Sequence, residues 1–172
     1  MITISNNCWG SHIFEKSKGT EYETPFIGVF LVAGDFVKML ENFDHYMSLT
    51  PTFTHQSKHY KAPKKYPILL LDDVEIHCCH DKKGPEDSIQ KWCRRRDRMS
   101  LDKSQMIVKL CDRDKFNTEI GKRFLALDKF PNKRLFVSQK YKDKFDKENV
   151  IITEDKTRCP IGTTLEKKYP VV

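Results

Sequence analysis

No stretch of this chain is apolar for long enough to cross a bilayer. The longest runs, residues 26–33 and 68–71, have the length of β-strands, whereas a membrane helix needs about twenty such residues. The opening Met-Ile-Thr-Ile-Ser-Asn-Asn has neither a basic head nor a long apolar middle, so we expect no secretory leader and a cytoplasmic protein. Glycine is scarce, with seven in 172 residues, and no glycine-rich phosphate loop can be drawn. The six cysteines contain no Cys-x-x-Cys pair, which removes the usual structural zinc patterns. A chain this long needs no disulfide staples, so the cysteines are expected as reduced thiols. Apolar residues make up only 38%, yet eleven Phe and 11% aromatics argue for a packed core rather than disorder.

Charge is plentiful instead. The formal net charge is +7, which favours anionic partners: nucleic acid, phosphorylated small molecules, nucleotide sugars or the inner membrane face. Only two basic clusters are tight, Lys58-Lys61-Lys64-Lys65 and Arg94-Arg95-Arg96 with Arg98. Lysine spread over many segments usually marks a solvated surface, which disfavours nucleic acid.

The chain reads as one domain, residues 1–172, built from alternating strands and helices. Strands are expected at 1–5, 68–78, 106–111, 134–138 and 150–153, with a short one at 52–56 and an extended piece at 26–31. Helices are expected at 11–18, 36–47, 88–99 and 118–127. Phe36, Met39, Leu40, Phe43 and Met47 recur on one helical face, with Asp35 as the cap, and are core. Residues 153–172 show no clear period and read as a loosely ordered or divergent tail. The fold class is α/β, a three-layer α/β/α arrangement around a mixed, largely parallel sheet.

In such sheets ligands bind at the carboxyl ends of the strands. Three polar clusters occupy those positions. Ser5-Asn6-Asn7-Cys8-Trp9-Gly10 follows the first strand; Asn6 and Asn7 suit hydroxyl-rich ligands, and Trp9 offers a stacking face. In an extended chain Asp73, Glu75 and His77 share one face, as a catalytic carboxylate with a His partner or a divalent-metal site for Mg2+ or Mn2+. Asp112-Arg113-Asp114 has the spacing of an Asp-x-Asp element, whose two carboxylates, Asp112 and Asp114, can anchor a metal and a sugar diphosphate. Lys91, Arg94, Arg95 and Arg98 lie on one helical side, where arginines can clamp phosphate. Each has a plainer alternative: a self-bonded turn with Trp9 in the core, an ion-paired strand end, a capped loop, a solvated helix face.

A resemblance adds to these clusters. Ile4-Ser5-Asn6-Asn7-Cys8-Trp9-Gly10, Thr24-Pro25-Phe26-Ile27-Gly28-Val29-Phe30, Asp35-Phe36-Val37-Lys38, and Tyr66-Pro67 with Leu71-Asp72-Asp73-Val74-Glu75-Ile76-His77 occur in order. Lys91-Trp92 with Arg94-Arg95, and Asp112-Arg113-Asp114, complete the series. Together they resemble a bacterial family, domain of unknown function nineteen-nineteen, over residues 1 to about 150. Its members are often labelled exopolysaccharide biosynthesis proteins. The resemblance implies a three-layer α/β/α fold with a mixed sheet; it carries over no catalytic residue.

The expectation is therefore a glycosyltransferase-like transferase of polysaccharide biosynthesis, acting on a sugar or nucleotide sugar. Asp73, Glu75 and His77 would supply the base or metal ligands, and Asn6 and Asn7 would hold sugar hydroxyls. Asp112 and Asp114 would bind metal, and Arg94, Arg95 or Arg98 would meet phosphate. The rival is a non-catalytic module that binds carbohydrate or a partner enzyme of the assembly machinery.

Overall fold

The computed structural model describes residues 2–10 and 23–170; the helix expected at 11–18 lies outside them. Four strands form a wholly parallel sheet in the order β1-β5-β6-β7: β1 (Ile2–Ser5), β5 (Met106–Cys111), β6 (Lys133–Val137) and β7 (Val150–Ile152). Three more, β2 (Thr52–Thr54), β3 (Ile68–Leu71) and β4 (Val74–His77), form a separate antiparallel sheet. The class is α/β, but the single mixed sheet resolves into two sheets, each of one sense.

The strands β1, β5 and β6 of the parallel sheet are buried on both faces, as their largely apolar sequences require, and β7 forms a half-exposed edge. Alternation along β5 sends Met106, Val108 and Leu110 into the main core with Ile2, Ile4, Leu135 and Val137. It sends Ile107 and Cys111 into a smaller core with Trp9, Phe136, Cys159 and Leu165. The lid of that second core is α5 (Gly162–Lys168), drawn from the segment that reads as a tail. Seven residues are too few for a helical period to show in the sequence, yet Leu165 is fully buried and the Trp9 indole N–H donates to the Tyr169 carbonyl at 3.2 Å.

The main core is closed by α1 (Ala33–Glu41), α2 (Phe43–Ser48), α3 (Pro85–Arg98) and α4 (Thr118–Leu125). The apolar stripe expected as one helix is two, broken at Asn42 (φ −124°, ψ 44°). All five stripe residues are buried in both halves, so the pattern carries no mark of the break. Two caps also move. Val32 stands at the N-cap of α1, and Asp35 turns to β4 instead. Asn117, not Thr118, caps α4 by accepting the Ile120 N–H at 2.9 Å.

The segment expected as one long strand is a hairpin. Leu71 pairs with Val74, leaving Asp72-Asp73 as a two-residue turn. Asp72 has φ 54°, a left-handed conformation that a short polar side chain tolerates better than most.

Candidate functional site

Parallel strands deliver their carboxyl ends to one edge. There β1 runs into Asn6-Asn7, β5 into Asp112-Arg113-Asp114, β6 into Ser138 and β7 into Thr153. The Asn6-Asn7 turn is held by Ser5, whose hydroxyl donates to the Asn7 carbonyl at 2.5 Å, and by the Leu31 N–H, which donates to the Asn6 carbonyl at 2.9 Å. Gly10 takes a positive φ (93°), and a Cβ there would meet Thr3 Cγ2 at 2.5 Å.

At the centre of this edge is a cation under two amides under a carboxylate. Lys109, fully buried on the second face of β5, donates to Asn7 Oδ1 at 2.7 Å and to Asn6 Oδ1 at 3.4 Å. An ammonium only donates, so it fixes the amide oxygens inward and the NH2 groups outward. Those NH2 groups each reach Asp114 Oδ2 at 3.4 Å, and Asn7 Nδ2 also meets Cys111 Sγ at 3.2 Å. Asp114 and Lys115 are both left-handed (φ 54° and 63°), and the Ala33 N–H at the start of α1 donates to the Asp114 carbonyl at 2.8 Å. Two consecutive non-glycine residues in that region store backbone strain, which recurs at binding and catalytic sites. Burial raises the Asp114 carboxyl above its ordinary value, against the lowering pull of the Asn7 amide and of Arg113, Lys109 and Arg158.

Two cavities share Arg113 and Asp114. One, of about 280 Å³, is lined by Asn7, Cys8, Phe30, Cys79, His80 and Thr163 besides those two. The Cys8 thiol lies 3.8 Å from His80 Nε2, but burial pushes it above the ordinary thiol value, so it is not a preformed thiolate. The other cavity, of about 270 Å³, is lined by Lys115, Phe116, Lys140, Tyr141 and Arg158 among others. Each is just under the roughly 300–1,000 Å³ usual for small-molecule sites.

The family model described as Domain of unknown function (DUF1919) matches residues 1–166. The chain belongs to this family. A Haemophilus influenzae protein described as uncharacterized is 31% identical over 141 residues, which is 82% of this chain and 63% of that relative. The chain thus spans less than two thirds of that relative's length. The match to the family runs beyond residue 150, so the α5 lid over Trp9 belongs to the DUF1919 domain.

The structure brings together Asn6, Asn7 and Asp114, and leaves the other candidates elsewhere. Trp9 is fully buried against Phe136, so no face is left for stacking a ligand. Asp112 points inward: its Oδ2 accepts from Ser138 N (2.8 Å) and Ser138 Oγ (2.5 Å), and its Oδ1 from Cys159 N (2.6 Å). It laces the ends of β5 and β6 to the 159 loop rather than facing a metal beside Asp114. Among the described residues, no group of three or more His, Cys, Asp and Glu is placed to hold a metal ion.

Asp73 sits in the hairpin turn, paired with Lys38 and accepting from Tyr46 OH at 2.9 Å; these partners hold its carboxyl below the ordinary value. Glu75 and His77, by contrast, are buried within the DUF1919 domain. Glu75 accepts from Ser57 Oγ and Lys58 N, both at 2.6 Å, and thereby latches the 57–60 loop onto β4. His77 stacks on Phe30 (4.4 Å between ring centres, 15°), and burial lowers it to about 4, so it is neutral. Phe30 lines the first cavity, which places the Glu75–His77 pair behind its wall. Arg94, Arg95 and Arg98 ride on α3 against β2 and β3; Arg95 donates to the Ile27 carbonyl at 3.0 Å, and Arg94 and Arg98 are exposed.

Cys8 and Arg113 lie in the strand-end clusters of the sequence, whereas nothing in those clusters points to Lys109, His80, Lys140 or Arg158 as members of this edge. Lys109 did leave a signal, a lone charge inside Met-Ile-Val-Lys-Leu-Cys. The others reach the edge through long-range folding alone.

Proposed function

We propose that this protein is a transferase acting on sugars, serving exopolysaccharide biosynthesis, with Asp114 as its base. Asp114 takes the role that the residue pattern offered to Asp73, Glu75 and His77. The observation that carries this reading is the Asp114 carboxylate, oriented by two amides and lining two neighbouring cavities.

A sugar hydroxyl entering the Asn7 side presents its proton to Asp114, while the Asn amides orient neighbouring hydroxyls. A carboxylate whose pKa burial raises is a stronger base than an ordinary aspartate, and a positioned base contributes about 10²–10⁴-fold. Buried Lys109 keeps the amides from flipping, so the acceptor contacts are organised before substrate arrives. No step runs through Mg2+ or Mn2+, because Asp112 is committed to Ser138 and Cys159.

The test is transfer from a panel of nucleotide sugars to saccharide acceptors. Asp114→Asn should lose at least about 100-fold in rate with an unchanged circular dichroism spectrum, in line with removal of a general base. Asp73→Asn should keep activity. Full transfer by Asp114→Asn would overturn the assignment.

A further inference from the structure

Four cations converge on the second cavity from three strand ends. Arg113 and Lys115 follow β5, Lys140 follows β6, and Arg158 follows β7. Neighbours in space but up to 45 positions apart in sequence, they are not the diffuse lysine of a solvated face.

Their local chemistry leaves them available. Among the described residues none of the four lies within ion-pair distance of a carboxylate. Arg113 Nη1 donates to the Cys159 carbonyl at 2.9 Å, which anchors one corner of the guanidinium and leaves its other donors. Lys115 Nζ donates to the His59 carbonyl at 2.6 Å. Lys140 Nζ stands 5.1 Å from the centre of the Tyr141 ring, and Phe116 meets that ring edge-on at 5.2 Å. Two acidic residues line this cavity, Asp112, whose oxygens accept from Ser138 and Cys159, and Asp114; together they stand against four positive charges. Two positive charges in excess, on a cavity with an aromatic wall, suit a compact multiply charged anion.

We propose that this cavity binds a diphosphate, free or as part of a nucleoside diphosphate, with Arg113, Lys115, Lys140 and Arg158 as its ligands. The site is separate from Arg94, Arg95 and Arg98, which lie on α3. Because the two cavities share Arg113 and Asp114, a group esterified to the diphosphate enters beside Asn7. That last placement rests on the transferase reading above; the binding of diphosphate does not.

The experiment is isothermal titration calorimetry of the full chain with inorganic pyrophosphate, uridine diphosphate and uridine. Pyrophosphate and uridine diphosphate should bind, and uridine should give no heat. Lys140 and Arg158 are exposed, so a Lys140→Ala/Arg158→Ala double variant should fold normally and weaken pyrophosphate at least tenfold. A Lys122→Ala/Lys144→Ala control, in the separate cavity beside α4, should bind like the parent.

The proposal fails if pyrophosphate gives no heat, if uridine binds as tightly as its diphosphate, if the double variant binds normally, or if the control is weakened equally. Pyrophosphate binding without transfer from any nucleotide sugar would keep this site and remove the transferase reading. Transfer undiminished by the double variant would do the reverse.

Discussion

Gly162 opens α5 where that helix lies closest to the candidate site. A Cβ at this position would stand 2.5 Å from Trp9 N, 2.6 Å from Asn7 Oδ1 and 2.7 Å from the Cys8 carbonyl carbon. The shortfall from ordinary contact, which begins near 3.4 Å, is roughly 0.9 Å, and two of the three neighbours are backbone. Gly162→Ala must therefore lift α5, and with it Leu165 and the Tyr169 carbonyl that holds Trp9. Overpacking of this kind costs about 1–3 kcal/mol. For a domain of this size that is a fall in melting temperature of roughly 2–12 °C. The control is Gly34→Ala on α1, where a Cβ would meet only Ile120 Cδ1 at 3.7 Å. Alanine is the better helix former by up to about 1 kcal/mol, so this variant should melt at or above the parent. Thermal denaturation followed by circular dichroism reads both. If Gly162→Ala melts within a degree of the parent, α5 does not pack on the Asn7 turn, and the second core is wrongly described.

Three further outcomes follow from the same contacts. Asp112→Ala orphans the Ser138 and Cys159 amides; it should lower stability by about 2–6 kcal/mol in urea with an unchanged m-value, and a loss under 1 kcal/mol would refute the lacing role. His77 is lowered from 6.5 to about 4, so between those values the unfolded chain binds more protons and stability falls as pH drops. A His77→Phe variant should lose that slope in melts across the window; an unchanged slope would contradict it. Iodoacetamide at pH 8 should modify Cys8 and Cys79 slowly, with rates climbing past pH 9, and spare Cys78, Cys111 and Cys159, which are buried. Fast labelling of Cys8 at pH 7 would show a thiolate where burial places a thiol.

Particular residues show why the sequence disclosed some of this and not the rest. The strands β1 and β5 are legible because both of their faces are buried, which leaves short runs rich in β-branched and apolar residues, broken in β5 only by Lys109, that end in polar clusters. The α1–α2 break is not, because Phe43 and Met47 continue the stripe of Phe36, Met39 and Leu40 through Asn42. The hairpin at Asp72-Asp73 keeps the alternation of a single strand and lacks the glycine that usually announces such a turn. Position at a strand end pointed to Asn6, Asn7 and Asp114. It could not separate Asp114 from Asp112, whose partners Ser138 and Cys159 lie 26 and 47 residues away. Asp73 and Glu75 look alike in sequence, and only the turn parts them: one faces Lys38 and Tyr46, the other is the buried latch of the 57–60 loop.

The central claim is that Asp114 is a half-buried carboxylate held at the sheet edge by Asn6 and Asn7 above Lys109. Carbon-13 NMR titration of its carboxyl, assigned by comparison with Asp114→Asn, tests this most directly. The account predicts a midpoint above the ordinary 3.8, moving higher still in Lys109→Met as the nearby cation is lost. A midpoint at or below 3.8, indifferent to Lys109→Met, would contradict it.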